Sequence, residues 1–335
     1  MIELKNNELV FRFPELHEDA VCRVNFQRTL RIPDDNRDYP LPPGLGRFPM
    51  EHVEDHSARL PSAWTEHGGV LLPMYQAEAL WINFSVECGF RSYARYPFAV
   101  KVAAGKINAV TGDEWSNSLG RHPQDYLVVP DQPWLDGFCV QEGLIRQFVA
   151  MPLGQGYTAE EQLTGAAEHG GLQIIAYPMK RDRYEKMLKK RDYVDYDSLL
   201  VCEERIPSMG LAPGGLMRQQ IFEDNYGYDA WDLSLSSRCF VHILNSDQWG
   251  RATGKSVPGA APTANDYVEA GLPWFEYYDD KLGALTGAKK LAGLDSVAAN
   301  GVKLGEKPLP ENDPVKPTKI FQLGAGSTKV REGNW

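Results

Sequence analysis

Short apolar runs recur along most of this chain, and Gly, Pro or Asp residues separate them. Several runs alternate β-branched or aromatic residues with polar ones, which is typical of β-strands. Helical patterns between the runs are scarce, so an alternating βαβ fold is disfavoured. We predict strands over residues 9–13, 21–32, 70–74, 80–86, 98–102, 106–110, 126–129, 144–153, 171–179, 199–205, 216–222 and 238–244.

This density of strands predicts a β-rich α+β protein. We expect its core to be β-sandwich-like or a curved antiparallel sheet, with a helical C-terminal extension. Residues 1–249 would form the β-rich core domain, residues 250–300 the helical extension packed on it, and residues 301–335 an extended tail rich in Pro and Gly.

Helices are predicted where capping residues precede a helical pattern. Thr158 with Glu161 forms a capping box for a short helix, and Thr263 with Asp266 can cap another. Residues 182–190 fit a basic surface helix. Apolar residues at helical spacing predict a longer helix over residues 281–300.

A Pro-rich segment, residues 33–49, interrupts the N-terminal strands. It contains Pro40, Pro42 and Pro43 as well as two glycines, so it cannot be helical and is expected to be an extended surface arm. Such an arm can wrap around a partner, and we expect self-association through it.

Composition restricts the class of protein. The 335 residues are 43% hydrophobic and 24% charged, which predicts a folded, soluble chain without long disorder. A formal net charge of −10, with no basic block that contains aromatic residues, disfavours a nucleic-acid partner. No apolar run approaches the length of a membrane helix, so no membrane partner is expected.

The start of the chain and the cysteines indicate the compartment. The first residues have neither a secretory signal pattern nor a transit-peptide pattern, so a cytoplasmic location is expected. The five cysteines are widely spaced and odd in number, which favours buried free thiols.

One pattern occurs twice. Residues 143–147 read Gly-Leu-Ile-Arg-Gln and residues 215–219 read Gly-Leu-Met-Arg-Gln, each at the start of a predicted strand. This pattern is compatible with a duplicated β unit and equally with local strand chemistry.

The strongest candidate site lies between the last two predicted strands. In a strand, Arg238 and His242 share one face while the apolar residues between them face the core. If strands 216–222 and 238–244 pair, Arg218 joins them beneath a loop that is rich in acids and aromatic rings. The candidate ligand-binding residues are Arg218, Asp224, Tyr226, Tyr228, Asp229, Trp231, Asp232, Arg238 and His242.

A structural interpretation of these residues stays open. Aspartates in a loop that contains glycine commonly cap turns, and Arg238 can neutralise one of them. His242 can equally be a core histidine whose hydrogen bonds are satisfied.

A second candidate is a metal site. On a helix, His52 and His56 would lie on one face, the spacing of helical zinc sites, with Asp55 as a nearby carboxylate. Val53 stands where the common metalloprotease motif has glutamate, so an amphipathic surface turn is the alternative. No cofactor is predicted from the sequence, and a divalent metal is left open.

Aromatic residues are numerous, and half or more are expected in the core. The segment 273–280 differs because it combines Trp274, Phe275 and Tyr277 with acidic residues. It is either a docking segment over the β core or a wall of a sugar or cation pocket.

Three strings resemble a group of bacterial proteins without an assigned activity: residues 218–232, 238–242 and 271–275. The resemblance spans most of the chain and implies an intact soluble protein, with no catalytic residue to transfer. The leading hypothesis is a soluble binding or assembly module whose ligand the sequence does not identify, and a small polar ligand is left open. The alternative is a metal- or acid/base-dependent hydrolase that acts on a small polar or carbohydrate substrate.

Overall fold

The computed structural model describes residues 1–86, 94–189, 209–256, 259–277 and 282–323. The strands of these ranges are β1 Ile2–Lys5, β2 Glu8–Arg12, β3 Val21–Thr29, β4 Asp38–Tyr39, β5 Gly44–Arg47, β6 Glu51–His52, β7 Val70–Pro73, β8 Ala79–Val86, β9 Phe98–Ala104, β10 Ile107–Asn108, β11 Leu127–Val129, β12 Trp134–Leu135, β13 Gly137–Gln141, β14 Leu144–Met151, β15 Leu172–Pro178, β16 Gly210–Arg218, β17 Ser237–Leu244, β18 Trp274–Tyr277 and β19 Ile320–Leu323.

The helices of the described ranges are short. They are α1 Ser62–His67, α2 Ala159–Thr164, α3 Arg181–Leu188, α4 Ser246–Thr253, α5 Ala264–Glu269, α6 Lys289–Ala292 and α7 Val297–Lys303, with 3₁₀ helices at Glu54–Arg59, Tyr228–Ala230 and Pro310–Asn312. No helix in these ranges is long and apolar enough to cross a membrane.

The strands form two large sheets, so the fold is β-rich α+β as predicted. The first has ten strands, with the central order β1-β2-β3-β8-β14-β16-β4 and with β5, β12 and β13 paired beside that path. The second has seven strands, in the order β10-β9-β15-β17-β7-β6, with β11 beside β9. Strands β18 and β19 form a small parallel pair.

The main apolar core lies between the two large sheets. Along β8, Leu80, Ile82 and Phe84 are buried in this core, whereas Trp81 and Asn83 alternate with them and are only half-buried. The same cluster contains inward residues of the seven-stranded sheet. Burial of each large side chain contributes about 1.5–3 kcal/mol, so this alternation holds the two sheets together.

Two smaller apolar clusters cover the outer faces of the sheets. One attaches α7 and the segment before α2 to the ten-stranded sheet, and it contains Ala79, Val149, Met151, Tyr157, Ala212 and Val297. The other attaches α4 and the first 3₁₀ helix to the seven-stranded sheet, and it contains Val53, Leu71, Leu244 and Trp249. The helices therefore pack on the outside of the β core.

Many local predictions are confirmed. Both capping boxes are present, with Thr158 and Glu161 at α2 and with Thr263 and Asp266 at α5. The predicted strand 216–222 is displaced, because β16 begins earlier and ends at Arg218. The predicted strand 199–205 lies outside the described residues.

The Pro-rich arm is extended as predicted, but it is built into the protein's own ten-stranded sheet. Strand β4 pairs in parallel with β16, and β5 pairs with β3. Phe48 is fully buried, and Leu41 exchanges two backbone hydrogen bonds with Phe275. The arm thus covers one face of the sheet, and self-association through it stays a prediction.

The repeated pattern does not mark equivalent positions. The first copy begins β14, but the second ends β16, so the expectation that both begin strands is wrong. The two copies instead pair with each other, with Leu144 opposite Arg218 and Ile145 opposite Met217 in antiparallel register. Adjacent strand chemistry accounts for this similarity better than a duplicated unit does.

The C-terminal extension packs on the core, but its helices are shorter than predicted. The single helix expected over residues 281–300 is wrong: α6 and α7 are separated by Gly293 and a turn in which Ser296 caps α7. Leu291 is buried in the main core, and Ala288 donates a backbone hydrogen bond to Cys139. Residues 278–281 and 324–335 lie outside the described residues.

Three cysteines, Cys22, Cys139 and Cys239, are buried and free. Burial raises the pKa of each thiol to about 12, which makes them unreactive at neutral pH. Cys88 and Cys202 lie outside the described residues.

The docked position of the arm can be tested at Gly215. A Cβ atom at this position would lie 2.4 Å from the backbone oxygen of Pro33. Gly215→Ala should therefore lower the free energy of unfolding by about 1–3 kcal/mol in urea titrations. Gly250→Ala is the matched control, because among the described residues no atom outside the backbone of α4 and the two chain neighbours lies within 4 Å of a Cβ there, and the change gains helix propensity. Equal stability of the two variants would contradict the docked arm.

Candidate functional site

The strand that carries Arg238 and His242 has the predicted alternation. In β17, Cys239, Val241 and Ile243 are buried in the main core, whereas Arg238 is exposed. His242 is on the opposite face from the core residues, where α1 covers it. The sequence therefore predicted correctly which face each residue occupies.

The outer face of β17 carries stacked side chains. The guanidinium of Arg238 lies 4.7 Å from the ring centroid of Phe240, and the ring of His67 stacks on the same Phe240 at 5.2 Å. The ring of His242 stacks on Trp64 with centroids 4.5 Å apart. This series of contacts attaches α1 to the seven-stranded sheet.

His242 is a structural residue in this arrangement. Its Nε2 lies 3.0 Å from the backbone oxygen of Gly68. Burial lowers its pKa to about 4, although the hydrogen bond with Gly68 opposes that shift and nearby His67 adds to it. A histidine with this pKa is neutral at physiological pH and is poorly suited to proton transfer there.

The predicted convergence of Arg218 with Arg238 and His242 is wrong. It required strands β16 and β17 to pair, but β16 belongs to the ten-stranded sheet and β17 to the seven-stranded sheet. Arg218 instead forms ion pairs with Asp38 in the arm at 3.2 Å and with Glu276 in β18 at 2.9 Å.

The loop between these strands is organised around Asp224. One carboxylate oxygen of Asp224 accepts hydrogen bonds from the Tyr126 hydroxyl at 2.6 Å and from the Trp231 indole at 2.8 Å. The other oxygen accepts from the backbone N–H groups of Tyr226 and Gly227. Trp231 is fully buried, so this constellation anchors the loop and leaves Asp224 little capacity for a ligand.

The remaining loop residues also make local contacts. Asp232 accepts hydrogen bonds from the backbone and hydroxyl of Ser234. The Tyr228 hydroxyl donates to the Leu119 backbone oxygen, and Asp229, with a side chain 71% exposed, lies 3.9 Å from Arg121. Asp232 thus caps a local turn, as the structural interpretation expects, whereas Tyr228 and Asp229 contact residues 119–121.

Arg238 is bound elsewhere. Its Nη1 donates to the Asn117 side chain at 2.9 Å, so it contacts the same 117–121 segment as the loop does, but from the sheet side. The nine candidate residues therefore divide among a sheet face, a loop anchor and an ion-pair cluster.

The proposed metal ligands do not share a helical face. His52 ends strand β6, whereas Asp55 and His56 lie in the 3₁₀ helix that follows. The Nε2 atom of His56 lies 3.5 Å from Glu51. Within the described ranges, no three His, Cys, Asp or Glu side chains are grouped closely enough to hold a metal ion.

A different site emerges beneath the Pro-rich arm. A cavity of about 280 Å³ lies between the arm, the outer face of the ten-stranded sheet and β18. Its lining residues are Leu41, Pro42, Pro43, Gly44, Trp81, Trp134, Asp136, Phe275 and Leu323. We call this space the aromatic cavity.

The rings of the aromatic cavity are positioned by neighbouring strands. Trp81 in β8 and Trp134 in β12 are half-buried, with ring centroids 6.3 Å apart and planes at 66°. Tyr277 supports Trp134 from behind at 4.7 Å. Gly44 permits the arm to approach Trp81 closely, since a Cβ atom there would lie 3.1 Å from that indole ring.

Asp136 is the ionisable group of this cavity. Asp136 is only 3% exposed, and burial raises the pKa of its carboxyl group to about 7. Hydrogen bonds from Gln219 and Trp134 stabilise the charged form and oppose that shift, with the Gln219 amide nitrogen 2.7 Å from Oδ2. A carboxyl group that titrates near neutrality at a cavity is a recognised mark of a functional site.

Part of this site had a signal in the sequence. Phe275 belongs to the segment for which a pocket wall was one of two predictions. Trp81 lies on the outward side of β8, where the next two outward residues, Asn83 and Ser85, are polar. Asp136 had no such signal, because an acid after a short apolar pair is common at strand ends.

No protein-family model, curated protein or solved structure matches this chain.

His242 should make stability depend on pH. Because its folded pKa of about 4 is below the ordinary value of about 6.5, the unfolded state takes up a proton first as pH falls through this window. We expect His242→Phe to be less stable than wild type at pH 8, because the substitution removes the hydrogen bond with Gly68. The difference in free energy of unfolding between the two proteins, measured in urea, should narrow by pH 5, because only the wild type loses stability as histidine becomes protonated in the unfolded state. A difference that stays constant would contradict a buried, neutral His242.

Asp136 should have the opposite effect. Its folded pKa of about 7 exceeds the ordinary value near 4, so wild-type stability should fall as pH rises between these values, by at most about 1.4 kcal/mol per pH unit. Asp136→Asn removes this titration. Its melting temperature relative to wild type should rise from pH 4 to pH 7 and then level off. A difference that does not change with pH would refute a buried, titrating Asp136.

Proposed function

We propose that this protein is a binding module for a small organic cation, such as a trimethylammonium group, which the aromatic cavity holds. The observation that carries the proposal is the composition of the wall. Three aromatic rings, from Trp81, Trp134 and Phe275, surround a space in which Asp136 is the one ionisable lining residue among those that the structure describes.

Aromatic rings favour cations because the ring quadrupole is negative over its face. The planes of the two indoles meet at 66°, so a ligand in the corner that the two rings form can contact both of them. Such a contact is worth ~2 kcal/mol when the cation is desolvated. A volume of about 280 Å³ suits a small group of this kind.

The wall is less suited to a sugar. A bound sugar requires several hydrogen-bonding partners for its hydroxyl groups, but most residues around the aromatic cavity are apolar or aromatic. The hydrolase hypothesis has weaker support, because Asp224 and His242, which it assigns to catalysis, have separate structural partners.

Asp136 provides the charge complement. An ammonium group near its carboxyl favours the ionised form, so binding should lower the pKa of Asp136 and release a proton near pH 6. Affinity should therefore increase with pH as the carboxyl ionises.

The test is calorimetric titration with choline and with its neutral isostere 3,3-dimethylbutan-1-ol. We expect choline to bind at least about tenfold more tightly at pH 8, because only choline has cation–π and ionic contacts. The affinity for choline should fall by up to about tenfold at pH 6, and Asp136→Asn should remove this dependence on pH.

The matched variants are Trp81→Leu, Trp134→Leu and Trp64→Leu. The first two should lose at least about tenfold in choline affinity. Trp64 stacks on His242 at the other sheet, so its variant should bind choline as the wild type does. Equal affinity for the two ligands, or equal loss in all three variants, would refute the proposal.

A further inference from the structure

A second and larger cavity lies beside the end of β3. Its volume is about 400 Å³. Thr29 and Arg31 form one side, the turn before β8 forms another, and segments 260–263 and 309–311 enclose the rest. We call it the Arg31 cavity.

Arg31 is a cation without an anionic partner in the part of the chain that the structure describes. Its Nη2 donates to the Asn312 side chain at 3.1 Å, while its Nε is inaccessible to solvent and has no hydrogen-bond partner. Among the residues that the structure describes, no carboxylate lies within 4 Å of this guanidinium. Burial lowers the pKa of Arg31, and only the more distant charges of Asp34 and Glu311 oppose this.

Neighbouring arginines show what is missing. Arg28 binds Glu78 through two nitrogens, at 2.7 and 2.6 Å, and Arg47 binds Glu8 at 2.9 Å. A desolvated charge costs several kcal/mol unless it is paired, so buried arginines normally have such partners. Among the described residues, Arg31 has no such partner, and it lines a cavity of about 400 Å³.

Glu78 cannot serve as that partner. One of its oxygens is held by Arg28, and the other accepts the backbone N–H of Tyr75 at 2.9 Å. Burial raises the pKa of Glu78, while the Arg28 charge and these hydrogen bonds counteract the shift. Its negative charge is already paired with the Arg28 guanidinium.

The turn that lines the cavity is strained. Ala77 has φ 63°, a left-handed conformation that is unusual for a residue other than glycine and costs on the order of 1 kcal/mol. Hydrogen bonds with β14 hold it there: Ala77 donates to the Ala150 oxygen, and Ala150 donates to Glu78. Strain maintained in this way is common at binding sites.

We propose that the Arg31 cavity binds a small organic carboxylate, with the Arg31 guanidinium as its ionic partner. The planar fork of arginine matches the two oxygens of a carboxylate. Glu78 and Glu311 also line the cavity, so a singly charged anion is favoured over the more highly charged phosphate.

The test compares sodium propionate, inorganic phosphate and sodium chloride at equal ionic strength by thermal unfolding. Wild type should show a saturable rise in melting temperature with propionate. Arg37→Met is the matched control, because Arg37 has a side chain 67% exposed in the arm and pairs with Asp35. It should respond as the wild type does.

Arg31→Met should lose the propionate response while melting no lower than wild type in chloride, since it removes an unpaired charge. Arg31→Lys keeps the charge without the planar fork and should bind propionate at least about tenfold more weakly than wild type does. This variant also tests the role of the guanidinium if Arg31→Met does not fold. An unchanged response in these variants, no response of wild type, or an equal Arg31-dependent response to phosphate would overturn the proposal.

Discussion

The two-residue period of the β-strand is the constraint on which this structure depends. Along the β3–β8 pair, apolar residues at every second position, such as Phe26 and Ile82, pack in the core between the sheets, and the alternate residues face outward. On the outward face, Thr29 is opposite Ala79 and Gln27 is opposite Trp81. The first pair lines the Arg31 cavity and Trp81 lines the aromatic cavity, so about 7 Å of one strand separates the two.

The Pro-rich arm converts that outward face into enclosed space. Thr29 binds it twice, through backbone pairing with Gly44 and through a hydroxyl that donates to the Pro43 oxygen at 2.9 Å. Prolines cannot complete a regular ladder, so the arm touches the sheet at separated points and leaves room beside Trp81. A regular edge strand in the same position would fill this space. The irregularity of the arm is thus what makes a cavity there.

Sequence patterns predicted what depends on neighbours along the chain and failed where distant partners decide. Most strand positions, both capping boxes and the alternation of Arg238 with Cys239 follow from local spacing, and the structure confirms them. The predicted strand 216–222 is the exception, because β16 ends at Arg218. Pairing of β16 with β17 was assumed from their order, but the connection passes from one sheet to the other. Asp136 was missed for a similar reason, because only distant packing desolvates it.

The ionisable groups that hold the fold together differ from those at the two cavities. Asp224 accepts four hydrogen bonds and Arg28 has a carboxylate partner, so each contributes to the fold as it stands. Asp136 and Arg31 differ, because each is desolvated at a cavity wall and neither meets an opposite charge within 4 Å in the described ranges. Burial in this state lowers stability. A ligand of opposite charge would relieve that cost at either position, and such a ligand favours the folded state by mass action.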